Sequence, residues 1–164
     1  MPKYFAGVAF VGSCFLFAYI PLSFAALGGA PMESPPGAIV TSRVKLIPAL
    51  ERSANASSAS NYSLVETRTS TGDISREYVS GGNRVFAVAW EGRHIPNMAT
   101  LLGWHFNQYR MAAMINRTAS NSHTPPGVIL DDLIVYVSGR TGNFYIRAWL
   151  PDALPAGFRS DAVR

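Results

Sequence analysis

From Tyr62 onward, apolar and polar positions alternate in short runs divided by turn residues. Tyr62–Thr69, Ile74–Val79 and Arg84–Trp90 are separated by Ser70-Thr71-Gly72-Asp73 and Ser80-Gly81-Gly82-Asn83. The pattern predicts three strands in an antiparallel meander. The third run is apolar on both parities, Val85/Ala87/Ala89 and Phe86/Val88/Trp90, which predicts a central strand covered on both faces. Pro96 cannot continue a strand ladder, and Asn97 is a good N-cap. Beyond it Met98, Leu101, Leu102, His105, Phe106, Tyr109, Ala112 and Ala113 recur at three and four, predicting a helix over Met98–Ile115. Gly103 weakens that helix by about 1 kcal/mol relative to Ala, and close approach of helix to sheet is the expected compensation.

A polar loop over 116–127 precedes Val128-Ile129-Leu130, which leads through Asp131-Asp132 into Leu133–Val137. The loop Ser138–Asn143 closes a hairpin onto Phe144–Leu150. That last strand sets Phe144/Ile146/Ala148/Leu150 against Tyr145/Arg147/Trp149. The expected fold class is α+β, a single antiparallel sheet of about five strands in the order β-β-β-α-β-β with one helix packed on one face. This domain should span 61–157. Pro151, Pro155 and Gly157 close it, and 158–164 reads as a disordered, frayed tail.

The flanking sequence is different in kind. Met1–Phe5 carries one positive charge and no acid, and an apolar run extends from Ala6 to Leu22. Ser23-Phe24-Ala25 supplies small residues where a signal peptidase reads, so 1–25 has the layout of a secretory signal peptide. A helix across that run spans about 25 Å, short of the ~30 Å bilayer core, so a retained anchor is the lesser alternative. Val11-Gly12-Ser13-Cys14 is a poor lipoprotein box, because apolar residues continue past Cys14. Residues 26–60 form an opening segment and flexible linker. Ile39–Ile47 can pair as a strand or stay extended over the core, and the small-residue run 53–60 has nothing to bury. The protein is expected to be exported, periplasmic or extracellular, touching the membrane only through the signal peptide before cleavage.

Composition narrows the chemistry. Only 15% of residues are charged, and the formal net charge is +4. Removal of 1–25 leaves 139 of the 164 residues, with 13 cations against 10 acids and no cysteine. Disulfides and cysteine-built metal sites are thereby excluded from the mature chain. The cations lie singly between acids rather than in a stripe, which argues against nucleic acid as a partner.

His94, His105 and His123 lack the spacing of a zinc motif, so no metal is expected unless they converge with Asp131 or Asp132. Neighbouring strand carboxylates point to opposite faces and so cannot share a proton. No G-x-S-x-G turn or recognisable Ser/His/Asp grouping appears, and Gly81-Gly82 and Gly139…Gly142 read as hairpin turns rather than phosphate cradles. No cofactor and no catalytic residue is therefore expected. Asn55, Asn61 and Asn116 open glycosylation sequons.

Several strings share an order and spacing. They are Ala26-Leu27-Gly28-Gly29, Arg76-Glu77-Tyr78-Val79, Gly81-Gly82 with Val85–Gly92, Pro96-Asn97-Met98 with Leu101-Leu102-Gly103, and Arg147-Ala148-Trp149-Leu150-Pro151. Together they resemble domain-of-unknown-function family 2844, uncharacterised secreted proteobacterial proteins, over nearly all of 26–157. The family pattern carries Asp where this chain has Asn97, and either residue fills a capping role. The resemblance implies an envelope location and supplies no activity and no catalytic residues.

The feature that points outward is aromatic. Tyr145, Arg147 and Trp149 share one face of the last strand, with Tyr136 of the preceding strand within cross-strand reach. Such a row can stack on sugar rings or a partner protein, unless residues 30–50 fold back over it. The expectation is a non-enzymatic binding or accessory module for an envelope protein or cell-envelope glycan, with Tyr136, Tyr145, Arg147 and Trp149 as binding residues. The alternative is a small periplasmic hydrolase with an unrecognised His/Asp site.

Overall fold

The computed structural model describes residues 27–46, 61–118 and 127–164. The expected signal peptide, the linker 53–60 and His123 lie outside the described residues. The chain forms one open antiparallel sheet of seven strands. These are β1 (Ile39–Leu46), β2 (Asn61–Arg68), β3 (Ile74–Ser80), β4 (Val85–Gly92), β5 (Val128–Ile129), β6 (Ile134–Arg140) and β7 (Asn143–Trp149). Their spatial order is β1-β2-β3-β4-β7-β6-β5. The α+β class stands and the first meander forms as its turns imply, but seven strands replace the expected five or so.

Both additional strands form by pairing with a neighbour. Ile39-Val40-Thr41 and Val44 favour extended backbone, and β1 pairs along its whole length with β2, from Ile39↔Arg68 to Leu46↔Asn61. Asp131-Asp132 does not lie on a strand. The pair occupies a turn in which the Leu130 N–H donates to the Leu133 carbonyl at 2.9 Å. That turn folds Val128 and Ile129 back onto Val135 and Ile134 as β5.

The expected single helix is broken. Helix α1 covers Met98–Leu102 and α2 covers Phe106–Thr118, with a 3-10 turn over Gly103–His105 between them. Asn97 caps α1 as its sequence position suggests, accepting from the Ala99 N–H at 2.9 Å and the Thr100 N–H at 3.3 Å. Gly103 then ends α1 at φ 52°, donating its N–H to the Ala99 carbonyl. A left-handed φ of this kind is open to glycine at little cost. Gly103 is thus a helix terminator. The solvent side of the helical segment is unusually apolar, with Trp104 at 91% exposure and Met111 and Met114 at 66%.

Register decides which side chains share a face. β3 and β4 pair regularly from Ile74↔Glu91 to Tyr78↔Ala87, and then the register slips so that Val79 meets Val85. The extra residue at this bulge is Phe86. The expected grouping Val85/Ala87/Ala89 against Phe86/Val88/Trp90 is therefore not what forms. Val85, Val88 and Trp90 join the core beneath the helices, while Phe86, Ala87 and Ala89 join a second cluster on the opposite face. β4 is nonetheless covered on both faces, as its doubly apolar pattern requires. In β7 the expected alternation holds, since Ile146, Ala148 and Leu150 enter the helix-side core and Trp149 enters the other cluster.

Segments outside the sheet close both clusters. Leu27 is fully buried in the helix-side core. Its N–H donates to the Leu101 carbonyl at 3.2 Å, and Gly28 and Gly29 exchange 2.8 Å backbone bonds with Val85. The end of the chain, expected to fray, is docked instead. Phe158 stands edge-on to Phe86, Tyr62 and Tyr78 with centroids 4.9 to 5.8 Å away, and Val163 is fully buried. The Tyr78 hydroxyl, within reach of the Ala162 carbonyl at 2.9 Å and the Arg164 N–H at 3.0 Å, fastens the segment. Burial of these apolar groups supplies the stabilisation that a polar tail lacks. No helix of the described residues is long and apolar enough to cross a membrane.

Candidate binding groove on the open sheet face

Among the described residues, the face opposite the helices is only half covered. The closing segment fills one part of it with the Tyr62–Tyr78–Phe86–Phe158 cluster. The rest is a groove of about 690 Å³ that crosses the strands. Alternation assigns its residues. β1 contributes Arg43 and Lys45, β2 Glu66, β3 Arg76, β4 Glu91, and β7 Tyr145 and Arg147. Arg164 lies at its margin.

The groove floor is an ion ladder. Arg76 Nε donates to Glu66 Oε2 at 2.8 Å, and its guanidinium lies 3.8 Å from Glu91 Oε2. Both carboxylates thus share Arg76 in a half-buried setting, where a pair is better retained than at an open surface. Arg43, Lys45 and Arg147 make no ion pair among the described contacts. Five cations against two acids leave the groove positive.

The four residues singled out by the sequence separate into two groups. Tyr145 lines the groove and is 40% exposed. Its hydroxyl accepts from Asn143 Nδ2 at 2.9 Å, which orients the ring. Arg147 lines the groove beside it and is exposed. Tyr136 and Trp149 are outside the groove lining. Trp149 is 8% exposed and stacks at 5.5 Å on Tyr136, which also carries the Arg147 guanidinium at 5.8 Å from its centroid. Arg147, Tyr136 and Trp149 therefore form one stacked row, in which Trp149 supports Tyr136 and Tyr136 orients Arg147. Of the opening segment, the described residues 27–32 pack on the helix side and β1 forms a groove wall.

Among the described residues, His94, His105, Asp131 and Asp132 do not assemble into one site. His94 is exposed in its loop. His105 packs near Gly28 and Leu150, with its Nδ1 3.5 Å from Gln108 Oε1. Gln108 Nε2 in turn donates to Asp132 Oδ1 at 2.6 Å. Gln108 thus stands between His105 and Asp132 as a structural tie from helix to turn. No group of three His, Cys, Asp or Glu residues able to hold a metal gathers among the described residues.

Sequence reasoning missed Glu77. It is 1% exposed on the helix side of β3, flanked in register by Val65 and Val88. Its carboxylate accepts from the Met32 N–H at 2.9 and 3.1 Å. Burial pushes its pKa up to about 7, and the Met32 bond offsets this in part. The signal was present, since Glu77 has the same parity as buried Val79. Next to this strap a smaller cavity of about 250 Å³ opens between Met32, Pro35, Ser75, Trp90 and Leu101.

A family model described as a protein of unknown function (DUF2844) matches residues 23–163. No curated protein matches, and no solved structure matches.

Proposed function

We propose, for a chain that belongs to the DUF2844 family and takes no assigned activity from it, a non-enzymatic binding module that holds an envelope protein or cell-envelope glycan against the open face of its sheet. The observation that carries this reading is the groove itself. Tyr145 and Arg147 stand exposed on one wall, Arg43 and Lys45 on the other, and a rigid sheet holds them. Strands fix the backbone beneath each of these side chains, so their spacing is set before binding, which favours recognition. Tyr136, itself 41% exposed, and the buried Trp149 stand beside the groove, as the support that orients Arg147.

Export is part of the proposal. The apolar run 6–22 followed by Ser23-Phe24-Ala25 supports cleavage after Ala25. The fold takes up the chain almost at once, since Leu27 is wholly buried. The test is capture from the native envelope by the exported protein and by a Tyr145→Ala/Arg147→Ala variant of equal melting temperature. A species retained by the first and lost with the second supports the groove. Identical capture by both overturns it.

A further inference from the structure

Resting on that reading, we infer that the groove's ligand is an acidic glycan, a hydroxyl-rich chain whose negative charges are spaced rather than contiguous. Three observations point to this chemistry. First, charge is segregated across the groove. The unpaired cations stand on its two walls, Arg43 and Lys45 on β1 and Arg147 on β7, while Glu66 and Glu91 occupy the floor around Arg76. β1 and β7 are four strand spacings apart, roughly 19 Å along the sheet. A ligand with anionic groups at both walls and neutral donors between them matches this layout. A contiguous polyanion would place charge over the two floor carboxylates.

Second, the floor is built to read hydroxyls. Glu66 and Glu91 supply acceptors and Arg76 supplies donors, so a diol can donate to one and accept from the other. Third, β2, β3, β4 and β7 each have a hydrogen-bonded neighbour on both sides, and the free side of the edge strand β1 points outward in the plane of the sheet, so a ligand lying across the groove meets no main-chain ladder. Extended peptides gain much of their affinity from strand addition at a free edge, and a ligand seated across the face of the sheet does not use that mode. The exposed Tyr145 ring, held by Asn143, adds an aromatic platform of the kind on which sugar rings stack.

The experiment is calorimetric titration of the mature chain with three probes. One is a hexasaccharide alternating glucuronate with N-acetylglucosamine, the second is the neutral N-acetylglucosamine hexamer, and the third is polyglutamate of matched charge. The acidic hexasaccharide should bind at least tenfold more tightly than either other probe and weaken as salt rises. Arg147→Gln, and separately Arg43→Gln with Lys45→Gln, should each weaken it by about tenfold or more, equivalent to about 1.4 kcal/mol. All three positions are exposed, so these variants should melt as the parent does. Equal binding of the neutral hexamer, lost in Tyr145→Ala, overturns the acidic assignment and leaves the groove as the binding surface. Preferred binding of polyglutamate overturns the glycan assignment in favour of an acidic peptide. No binding of any probe, or binding indifferent to every groove substitution, overturns the inference, and the envelope capture described above then decides the groove reading separately.

Discussion

Replacing Glu77 with Gln isolates a buried carboxyl that forms no ion pair among the described residues. The Glu77 carboxyl lies among Val65, Val88 and Met32, with the Met32 N–H as its bonded partner and no cation paired to it among the described residues. Glu66 and Arg76, its neighbours in sequence and register, point to the other face of the sheet. Burial lifts the pKa from 4.5 to about 7. In the folded chain the proton is held up to about pH 7; in the unfolded chain it leaves near 4.5. Between those values the native state binds more protons, so stability falls as pH rises. The gap corresponds to about 3 kcal/mol at 1.36 kcal/mol per pKa unit, and most of it is lost between pH 5 and pH 8.

Gln keeps an acceptor for the Met32 N–H and cannot ionise. Urea unfolding of both chains at pH 5 and pH 8, followed by tryptophan fluorescence, gives the difference of differences. The parent should lose about 2 to 3 kcal/mol more than Glu77→Gln over this interval, or roughly 5 to 10 °C in melting temperature. Other titrating groups cancel in the comparison. Parallel pH profiles for the two chains would show that the carboxyl is solvated and that the strap over residues 27–32 does not seal it.

Four further outcomes are expected. Trp149→Ala should cost about 3 kcal/mol or more in denaturant unfolding, because the ring is buried under Tyr136 and its loss leaves a cavity; unchanged stability with lost ligand would return Trp149 to the binding surface. Val85→Asp should prevent folding at 37 °C, seen as loss of soluble protein, since it sets an unpaired charge in a fully buried position. Tyr78→Phe should destabilise by about 1 kcal/mol and expose residues 158–164 to carboxypeptidase, because the hydroxyl bonds to Ala162 and Arg164 disappear. Asn97→Ala should cost about 1 kcal/mol while Asn97→Asp is tolerated, since either oxygen can cap the Ala99 and Thr100 N–H groups.

Alternation and turn residues alone were enough for the meander β2-β3-β4, the hairpin β6-β7 and the sidedness of β7. A period of two and a glycine-bearing turn act over a few residues, so the sequence carries them directly. The Asn97 cap is equally local. The additional strands, the bulge and the docked ending are of another kind. The bulge at Phe86 regroups half of β4, and nothing in Val85–Trp90 announces it, because it arises from pairing with β3. Phe158 and Val163 look like isolated apolar residues in a polar tail, and only the cluster around Tyr62, Tyr78 and Phe86 makes their burial favourable.

The site divides in the same way. That Tyr145 and Arg147 share a face follows from parity within one strand. That Arg43, Lys45 and the Glu66–Arg76–Glu91 ladder stand opposite them follows from the pairing of β4 with β7 and of β1 with β2, contacts as distant in the chain as Ala87 with Trp149. Sequence determined which side chains lie on a common side of each strand, because that is geometry of the local backbone. Tertiary structure decided which strands became neighbours, which aromatic rings were buried and where the cations converged, because those depend on apolar burial summed over distant parts of the chain.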